Sequence, residues 1–245
     1  MDLSRDQKQL LKGQLLPVLQ WHRDEELASY IVLLDRVETD LSGPVSASMV
    51  ENWLDELLGA FRRVEDSMMT VALDFGASLS DDQVQEFIAS LWKEQKEYQK
   101  EFLERDEQEY IRDNQENLED FLRRFTGRLS PEQQQRLAAA AGDMQRFDGA
   151  WLAEREAWLV TLETLLQRQE GWQDALRQAH ADRSDHRPPG YQAIVEHNLA
   201  VIAEAVADVL NQMSPKQYQR AIKEIEDLRR KLRKLIGQPE TRLSA

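Results

Sequence analysis

The stretch Leu129-Ser130-Pro131-Glu132-Gln133 decides the fold, because it combines several signals of a helix start. The serine hydroxyl can accept a hydrogen bond from the amide three residues later, and the glutamine side chain can reach back to the amide of the serine. Proline directly after the serine stands where a helix needs no N–H donor. The same phrase recurs, with small changes, at residues 3–7, 79–83 and 213–217. Four such capping boxes predict an all-α protein.

The composition of the 245 residues also favours helix over sheet. The chain has only 10 Gly and 7 Pro, while 41% of the residues are hydrophobic and 31% are charged. Helix-forming residues dominate, and the high charged fraction indicates a thin core with much solvated surface. We therefore expect an elongated bundle of about six or more helices that start with capping boxes.

Breaks in the helical pattern divide the chain into three successive regions. The turn at residues 41–44, Gly76 and the loop at residues 186–190 carry the glycines and prolines that end helices. We expect an N-terminal helical hairpin at 1–76, a long-helix region at 77–185 and a C-terminal helical hairpin at 186–245. The three regions are expected to form one continuous helical domain.

Apolar spacing gives more detailed expectations for the first three helical regions. Pro17 predicts a kink or break near Leu16. The second helix is expected to end before Gly76 and to bury one apolar stripe, formed by Trp53, Leu54, Leu57, Leu58, Phe61 and Val64. The third region, 80–126, has no Gly or Pro, but its segment 104–117 has few apolar residues, which favours a break there.

The charge of the chain limits its partners. A net charge of −14 opposes nonspecific binding to nucleic acid or to anionic lipid, so we expect no nucleic-acid partner. The segment 214–236 is an exception, with eight Lys or Arg against three Asp or Glu. Five cations crowd its end, namely Arg229, Arg230, Lys231, Arg233 and Lys234. A basic helix lying along an acidic one explains this asymmetry most simply.

The residues that usually carry catalysis are absent or scattered. The chain has no cysteine, no Glu-x-x-His pair for a di-iron site and no glycine-rich phosphate loop. The cluster of His180, Asp182, Asp185 and His186 is the single group with metal-ligating chemistry, and an ordinary polar surface loop is the preferred interpretation. We expect a protein that is not an enzyme and has no catalytic residue, metal or cofactor.

Six tryptophans are many for a helical protein of this length. Trp151 and Trp158 lie one heptad apart and therefore share a helix face. Most of the six are expected in the core, because helical spacing is what burial requires. A minority are candidates to line a groove for a partner helix or an unfolded chain.

One segment carries a resemblance to a known family. The sequence from Trp21 to Tyr30, together with residues 129–133 and 151–155, resembles an uncharacterised family of proteobacterial lipoproteins, known only as a domain of unknown function. The most specific part of the likeness consists of Trp21, His22, Arg23, Glu25 and Glu26. The resemblance implies a lipid-anchored envelope protein that faces the periplasm, and it supplies no catalytic residues.

A second resemblance is confined to the repeated capping phrase. The Spy and CpxP-like periplasmic chaperones carry the motif Leu-Thr-x-x-Gln, and Ser4, Ser80, Ser130 and Ser214 stand where that motif has threonine. Helical proteins can converge on this cap, because its role is local. The resemblance implies a chaperone-like activity.

These observations lead to two main functional hypotheses, beside a disfavoured third, a metal-dependent enzyme that uses His180, Asp182, Asp185 and His186. The first is a non-enzymatic helical protein on the periplasmic side of the outer membrane, which binds envelope proteins or unfolded chains. The abrupt start predicts that a targeting segment has been removed and that the full-length form carries a lipid anchor. The second is a structural adaptor of a membrane assembly, whose basic C-terminal helix contacts anionic lipid or lipopolysaccharide phosphates.

Overall fold

The computed structural model describes residues 2–237, and this part of the chain is built from α-helices and contains no strand. A π-helical turn, His22–Glu26, and a 3-10 turn, Arg183–His186, interrupt the α-helical pattern. The all-α prediction is confirmed. The α-helices are α1 (Arg5–Trp21), α2 (Leu27–Asp40), α3 (Ala47–Ser78), α4 (Asp81–Glu104), α5 (Glu107–Thr126), α6 (Pro131–Asp143), α7 (Asp148–Leu165), α8 (Trp172–Ala181), α9 (Tyr191–Asn211) and α10 (Pro215–Ile236).

The four capping boxes of the repeated phrase are all present. Ser80, Ser130 and Ser214 are helix N-caps whose hydroxyls accept from the amides of the glutamines three residues on. The hydroxyl of Ser4 accepts from the Gln7 amide at 3.1 Å, and the Gln7 side chain accepts from the Ser4 amide at 3.0 Å. Each box therefore satisfies two amides that a helix start leaves without partners.

The boundaries of the first two helical regions differ from the sequence expectation. Pro17 lies inside an unbroken α1, and the irregularity is the π-helical turn that follows Trp21. The carbonyl that loses its donor to Pro17 belongs to exposed Gly13, where water can replace the missing N–H. Helix α3 continues through Gly76 to Ser78. A Cβ at Gly76 would lie 3.4 Å from the ring of Trp172, so close packing explains this glycine better than a helix end does.

The later boundaries agree with the sequence. The 80–126 region breaks after Glu104, where Arg105 takes an extended conformation. A further break lies between Asp143 and Asp148. Helices α9 and α10 lie within the predicted C-terminal region, 186–245. No helix in the described part of the chain is long and apolar enough to cross a membrane.

The chain divides into two compact units, each of which collects three separated stretches. Unit 1 consists of Met1–Leu15, Glu65–Tyr110 and Gln145–Asn198, and unit 2 consists of Leu16–Val64, Ile111–Met144 and Leu199–Ala245. This grouping differs from the three successive regions expected from the sequence. The reason is that helices pack with partners far along the chain, α4 with α7 in unit 1 and α10 with α2 in unit 2.

Unit 1 is held together by rings and buried polar groups. Tyr98, Phe102 and Trp151 pack with ring centroids 5.5 to 5.8 Å apart, at the contact of α4 with α7. The Gln95 side chain, which is 1% exposed, donates to the carbonyl of Leu152 at 3.0 Å. The carboxylate of buried Asp148 is held by Arg105 at 2.7 Å and by Arg146 at 3.2 Å.

Unit 2 has a continuous aliphatic core. Its buried side chains come from α3, α5, α6, α9 and α10 and from the turns before α3 and α6. Small residues dominate on α9, where Ala203, Ala205 and Ala207 let neighbouring helices approach closely. Leu137 and Val209 are fully buried among them.

The two capping boxes of each unit are joined through their glutamines, in an arrangement we call the glutamine clasp. In unit 1 the side-chain amides of Gln7 and Gln83 donate to each other's oxygens at 2.8 and 3.0 Å. In unit 2 Gln217 donates to Gln133 at 2.9 Å, and Gln133 donates back at 3.5 Å. In both clasps the second glutamine also donates to the carbonyl two residues before the first serine, at Asp2 or Arg128. One side chain therefore caps its own helix and fastens a second helix start to it.

Candidate protein-interaction site

The best candidate site is a groove in unit 1, which we call the Trp92 groove. Its volume is about 710 Å³, and it lies between one face of α4 and the end of α7. The residues from α4 recur at helical spacing and are mostly apolar, and α7 and the residues after it contribute one apolar and two polar side chains. The lining is formed by Asp81, Val84, Gln85, Ile88, Ala89, Trp92, Glu163, Leu166 and Gln167.

Trp92 is fixed in an orientation that leaves part of its ring available. Its indole N–H donates to the Glu163 carboxylate at 3.0 Å, across the groove from α4 to α7. The side chain is half-buried, and Val160, one turn earlier on α7 than Glu163, is 52% exposed. An aromatic ring held at the edge of an apolar floor is a common feature of protein-binding surfaces.

Beside the Trp92 groove, Arg168 binds Asp81, a residue of its lining. Arg168 has a φ of +57°, a left-handed conformation that is uncommon for a side chain other than glycine. Its guanidinium donates to the carbonyls of Gly76 and Leu79 and to the carboxylate of Asp81. These bonds attach the turn after α7 to the start of α4 and offset the cost of the strained backbone.

The rim of the groove is polar and acidic. Gln85 and Gln167 offer amide donors and acceptors, and Glu163 and the exposed Asp82 add negative charge. An extended segment leaves backbone N–H and C=O groups open, and such amides can pair with them. The acidic rim favours a segment that also carries basic residues.

A second pocket in unit 1, which we call the Trp158 pocket, lies between α7 and α8. It has a volume of about 420 Å³ and a floor of alanines, Ala157, Ala175 and Ala179. Buried Glu154 binds Arg183 through two hydrogen bonds of 2.7 and 3.0 Å, and this guanidinium stacks 4.9 Å from the ring centroid of Trp158. The two buried charges of this pocket are therefore bound to each other.

The histidine cluster considered as a metal site lies at the edge of the Trp158 pocket but does not form one. The imidazole of His180 lies 3.3 Å from Asp66 and packs beside Trp158, while the Nδ1 atom of His186 lies 2.8 Å from the carbonyl oxygen of Asp182. Asp182 accepts from Gln178, and Asp185 is exposed. Within residues 2–237, no three His, Asp or Glu side chains are grouped as ligands for a metal ion.

The Trp21–Glu26 segment, which carries the family resemblance, forms the π-helical turn of unit 2. Glu26 is 4% exposed, and both of its oxygens accept from Arg63 on α3. This bond raises the pKa of Arg63 above its ordinary value. The Tyr30 hydroxyl lies 3.3 Å from His22, and burial, followed by the charge of Glu26, raises the pKa of Tyr30.

Arg23 and Glu25, two other residues of that segment, are more exposed than Glu26. Arg23 pairs with its neighbour Asp24 at 2.9 Å, which lowers the pKa of the Asp24 carboxyl, and Glu25 is exposed. The inward-facing members of the segment hold α2 against α3, and they line neither the Trp92 groove nor the Trp158 pocket. π-Helical turns are frequent at functional sites, and this one places Glu26 for its ion pair.

The five cations of the basic helix do not act as one group. Arg229 is largely covered, pairs with Asp35 at 2.8 Å and also binds Glu38, which raises the pKa of Arg229. Through Arg229, the basic helix α10 therefore contacts acidic residues of α2. Arg230 binds Asp227 one turn earlier. The remaining three, Lys231, Arg233 and Lys234, are exposed, and no ion pair joins them to another residue in the described range.

The buried stripe expected on α3 is wrong over part of its length. Trp53, Leu54 and Val64 are half-buried, but Leu57 and Leu58 are each 40% exposed and Phe61 is 61% exposed. Helix α2 contacts α3 at one edge of this stripe, since Trp53 donates to Asp40 and Glu56 accepts from Arg36. Helical spacing identifies an apolar face, but it does not show that another helix covers it.

Comparison with known proteins identifies the family. The model of a family of unknown function, DUF6279, matches residues 1–192. The chain belongs to the DUF6279 family. The matched DUF6279 region contains the Trp92 groove, the Trp158 pocket and the π-helical turn, and it ends near the start of α9, before the basic helix α10. No curated protein matches the chain, and no solved structure matches it either.

Proposed function

We propose that this DUF6279 protein is a non-enzymatic helical interaction protein, which binds an apolar segment of an envelope protein or of an unfolded chain. The observation that carries the proposal is the Trp92 groove. Its floor is formed by apolar side chains of α4 and by Leu166 directly after α7, its rim carries the side-chain amides of Gln85 and Gln167, and one tryptophan is held at its edge. Apolar floors with convergent polar groups and aromatic anchors are typical of peptide-binding grooves.

The preferred occupant is a segment with apolar and basic residues. The chain has a net charge of −14, and Glu163 and Asp82 stand at or beside the groove. Opposite charges raise association rates and disfavour acidic competitors. An amphipathic helix or an unfolded basic segment can place apolar side chains against the floor and basic side chains beside the acidic rim.

A fluorescence-anisotropy titration with a labelled amphipathic peptide of leucine and lysine residues tests this proposal. Ala89 is an exposed alanine in the groove, so Ala89→Arg fills the groove without changing a buried side chain. We expect this variant to bind the peptide about tenfold more weakly, which corresponds to about 1.4 kcal/mol.

The matched control is Ala153→Arg, which adds the same side chain at an exposed alanine of α7 outside the groove. Equal binding by the wild type and Ala89→Arg would contradict the proposed site, and so would equal weakening by both arginine variants. Absence of any peptide binding by the wild type would contradict the proposed function.

The proposed location is the periplasmic side of the outer membrane, with a lipid anchor in the full-length form. Its support is the resemblance of the Trp21–Tyr30 segment to proteobacterial lipoproteins. Labelling cells with radioactive palmitate, followed by fractionation, tests both statements. A product of the full reading frame that takes up no label and does not sediment with outer membranes would contradict the proposed anchor.

A second candidate function is contact with anionic lipid through the end of α10. The supporting observation is that Lys231, Arg233 and Lys234 are exposed at the end of the helix, outside the ion pairs of Arg229 and Arg230. We expect flotation with vesicles that contain phosphatidylglycerol to fall when these three become glutamine. The matched control replaces the exposed Lys93, Lys96 and Lys100 of α4 with glutamine. Unchanged flotation of the first variant would contradict this function.

A further inference from the structure

Arg168, in the turn between α7 and α8 of unit 1, has a backbone conformation that favours glycine. Its φ of +57° lies in the left-handed region, where a Cβ atom is strained. Three residues later in the same turn, Gly171 adopts a φ of +77° without this strain. A glycine at position 168 would make the turn equally well, so the arginine side chain must supply an interaction that offsets the strain.

The Arg168 guanidinium joins three segments of unit 1. It donates to the carbonyl of Gly76 near the end of α3, to the carbonyl of Leu79 between α3 and α4, and to the carboxylate of Asp81 in the first turn of α4. The side chain is 18% exposed. Because a guanidinium presents its donors in a rigid fork, these bonds also limit the movement of the backbone that carries it.

Arg168 does not line the Trp92 groove, but the residues beside it do. Leu166 and Gln167, directly before it, line the groove on the side of α7, and Asp81, to which it binds, lines the groove on the side of α4. The amide of Gln167 makes a long hydrogen bond of 3.4 Å to the carbonyl of Thr164, so the bonds within this turn hold it less firmly than those of a helix. Arg168 therefore fixes Leu166 and Gln167 relative to the start of α4.

We propose that Arg168 is a positioning residue of the Trp92 groove, whose guanidinium keeps Leu166 and Gln167 in the arrangement that a bound segment requires. This inference rests on the proposed function, because it concerns the same groove. Without the guanidinium the turn samples other arrangements, and only the molecules with both residues in place bind a partner. The apparent dissociation constant then rises by the inverse of that fraction. The strain at Arg168 accompanies a groove that is formed before its partner arrives.

Stopped-flow fluorescence anisotropy with the labelled leucine–lysine peptide tests the proposal. Arg168→Gly removes the guanidinium and relieves the backbone strain in one change, so the variant is expected to stay folded. We expect its association rate constant to fall about fivefold and its dissociation rate constant to change by less than about twofold, because only the formed fraction binds. Loss of a direct contact with the peptide would instead raise the dissociation rate constant.

Hydrogen exchange measures the same effect without a peptide. The amides of Leu166 and Gln167 are expected to exchange faster in Arg168→Gly than in the wild type, because this turn opens more often. Trp172 packs against α3 near Gly76, so α8 is expected to stay in place. Unchanged exchange at Leu166 and Gln167 would overturn the proposal.

Two further variants separate positioning from a general effect of charge. Arg168→Lys keeps the positive charge but lacks the rigid fork, so its association rate constant is expected to lie between those of the wild type and Arg168→Gly. Arg177 pairs with Asp174 at 3.0 Å on α8 and lies outside the groove, so Arg177→Ala should leave both rate constants unchanged.

The outcomes distinguish this inference from the proposed function. A wild type that binds the peptide, together with an Arg168→Gly variant that associates equally fast, would overturn this inference alone. Equal slowing by Arg177→Ala would overturn it as well, and so would a loss of affinity found entirely in the dissociation rate constant. A wild type that binds no peptide would contradict the proposed function and this inference together.

Discussion

Unit 1 and unit 2 use the same clasp but different cores. Each joins two helix starts through a pair of glutamine amides, and each pairs a buried glutamate with an arginine, Glu154 with Arg183 or Glu26 with Arg63. Unit 2 then buries a continuous set of aliphatic side chains. Unit 1 relies on a ring cluster and on Asp148 between two arginines.

This difference shows that the same glutamine clasp is compatible with two kinds of core packing. An aliphatic core is non-directional and tolerates substitution of its surface, while a core of rings and ion pairs depends on particular geometry. The unit with the more polar interior also holds the Trp92 groove, whose walls need fixed side chains. A site on rigid elements keeps its shape before a partner binds.

The largest effect should come from the aliphatic core of unit 2. Leu137 is completely buried in α6, so Leu137→Ala removes apolar contacts and leaves a cavity. We expect a loss of about 3–5 kcal/mol in the free energy of unfolding, measured by urea denaturation. Leu235→Ala, at a 48% exposed position of α10, is the control and should cost far less. Similar losses in the two variants would show that this core does not dominate the stability of unit 2.

The next effect should come from the polar core of unit 1. Asp148→Ala leaves Arg105, whose side chain is 17% exposed, without its main ion-pair partner. Breaking a buried pair from one side is costly, and we expect a loss of about 3 kcal/mol. Urea denaturation followed by tryptophan fluorescence measures it, because Trp151 reports on the neighbouring ring cluster. Asp174→Ala, which removes an exposed carboxylate paired with Arg177, should be nearly neutral. A neutral Asp148→Ala would mean that unit 1 does not depend on this pair.

The two glutamine clasps should contribute equally to the free energy of unfolding, and each should contribute less than the core contacts above. Gln83→Ala and Gln217→Ala each remove a capping bond and the donors to a second helix start, so each is expected to cost about 1–2 kcal/mol. A double-mutant cycle with Gln7→Ala or Gln133→Ala measures the coupling within each clasp. Additive losses in either unit would show that its two glutamines do not act together.

The smallest effect should be a dependence of stability on alkaline pH, present in both units. Burial raises the pKa of Tyr30 in unit 2 and of Tyr191 in unit 1. The folded state holds these two protons more tightly than the unfolded state does, so the protonated tyrosines stabilise the fold below the ordinary tyrosine pKa of about 10. This stabilisation is lost as the pH rises through each raised pKa. We expect Tyr30→Phe and Tyr191→Phe each to lose less stability than the wild type between about pH 8 and about pH 10.5. An identical loss in wild type and variants would contradict the shifts.

Some features of this fold were predictable from the residues, and others were not. The four serine-to-glutamine phrases identified helix starts correctly, because a cap is formed by residues three apart. The break after Glu104 also followed from the local loss of apolar spacing. The exposed face of Leu58 and Phe61 was predicted to be buried, because periodicity alone cannot show which helix lies opposite. Trp92 was one of six tryptophans, and no local signal distinguished it from the others.

The sequence by itself determined the helical class, the helix starts and the overall acidity, since these depend on contacts within a few residues or on composition. The tertiary structure alone decided that the four capping boxes join in pairs, that Arg229 pairs with α2, and that Trp92 stands in a groove between α4 and the end of α7. The physical reason is that these contacts join residues 70 or more positions apart, as in the 76-residue separation of Gln7 and Gln83. Which distant faces meet is settled by shape and charge complementarity across the whole chain.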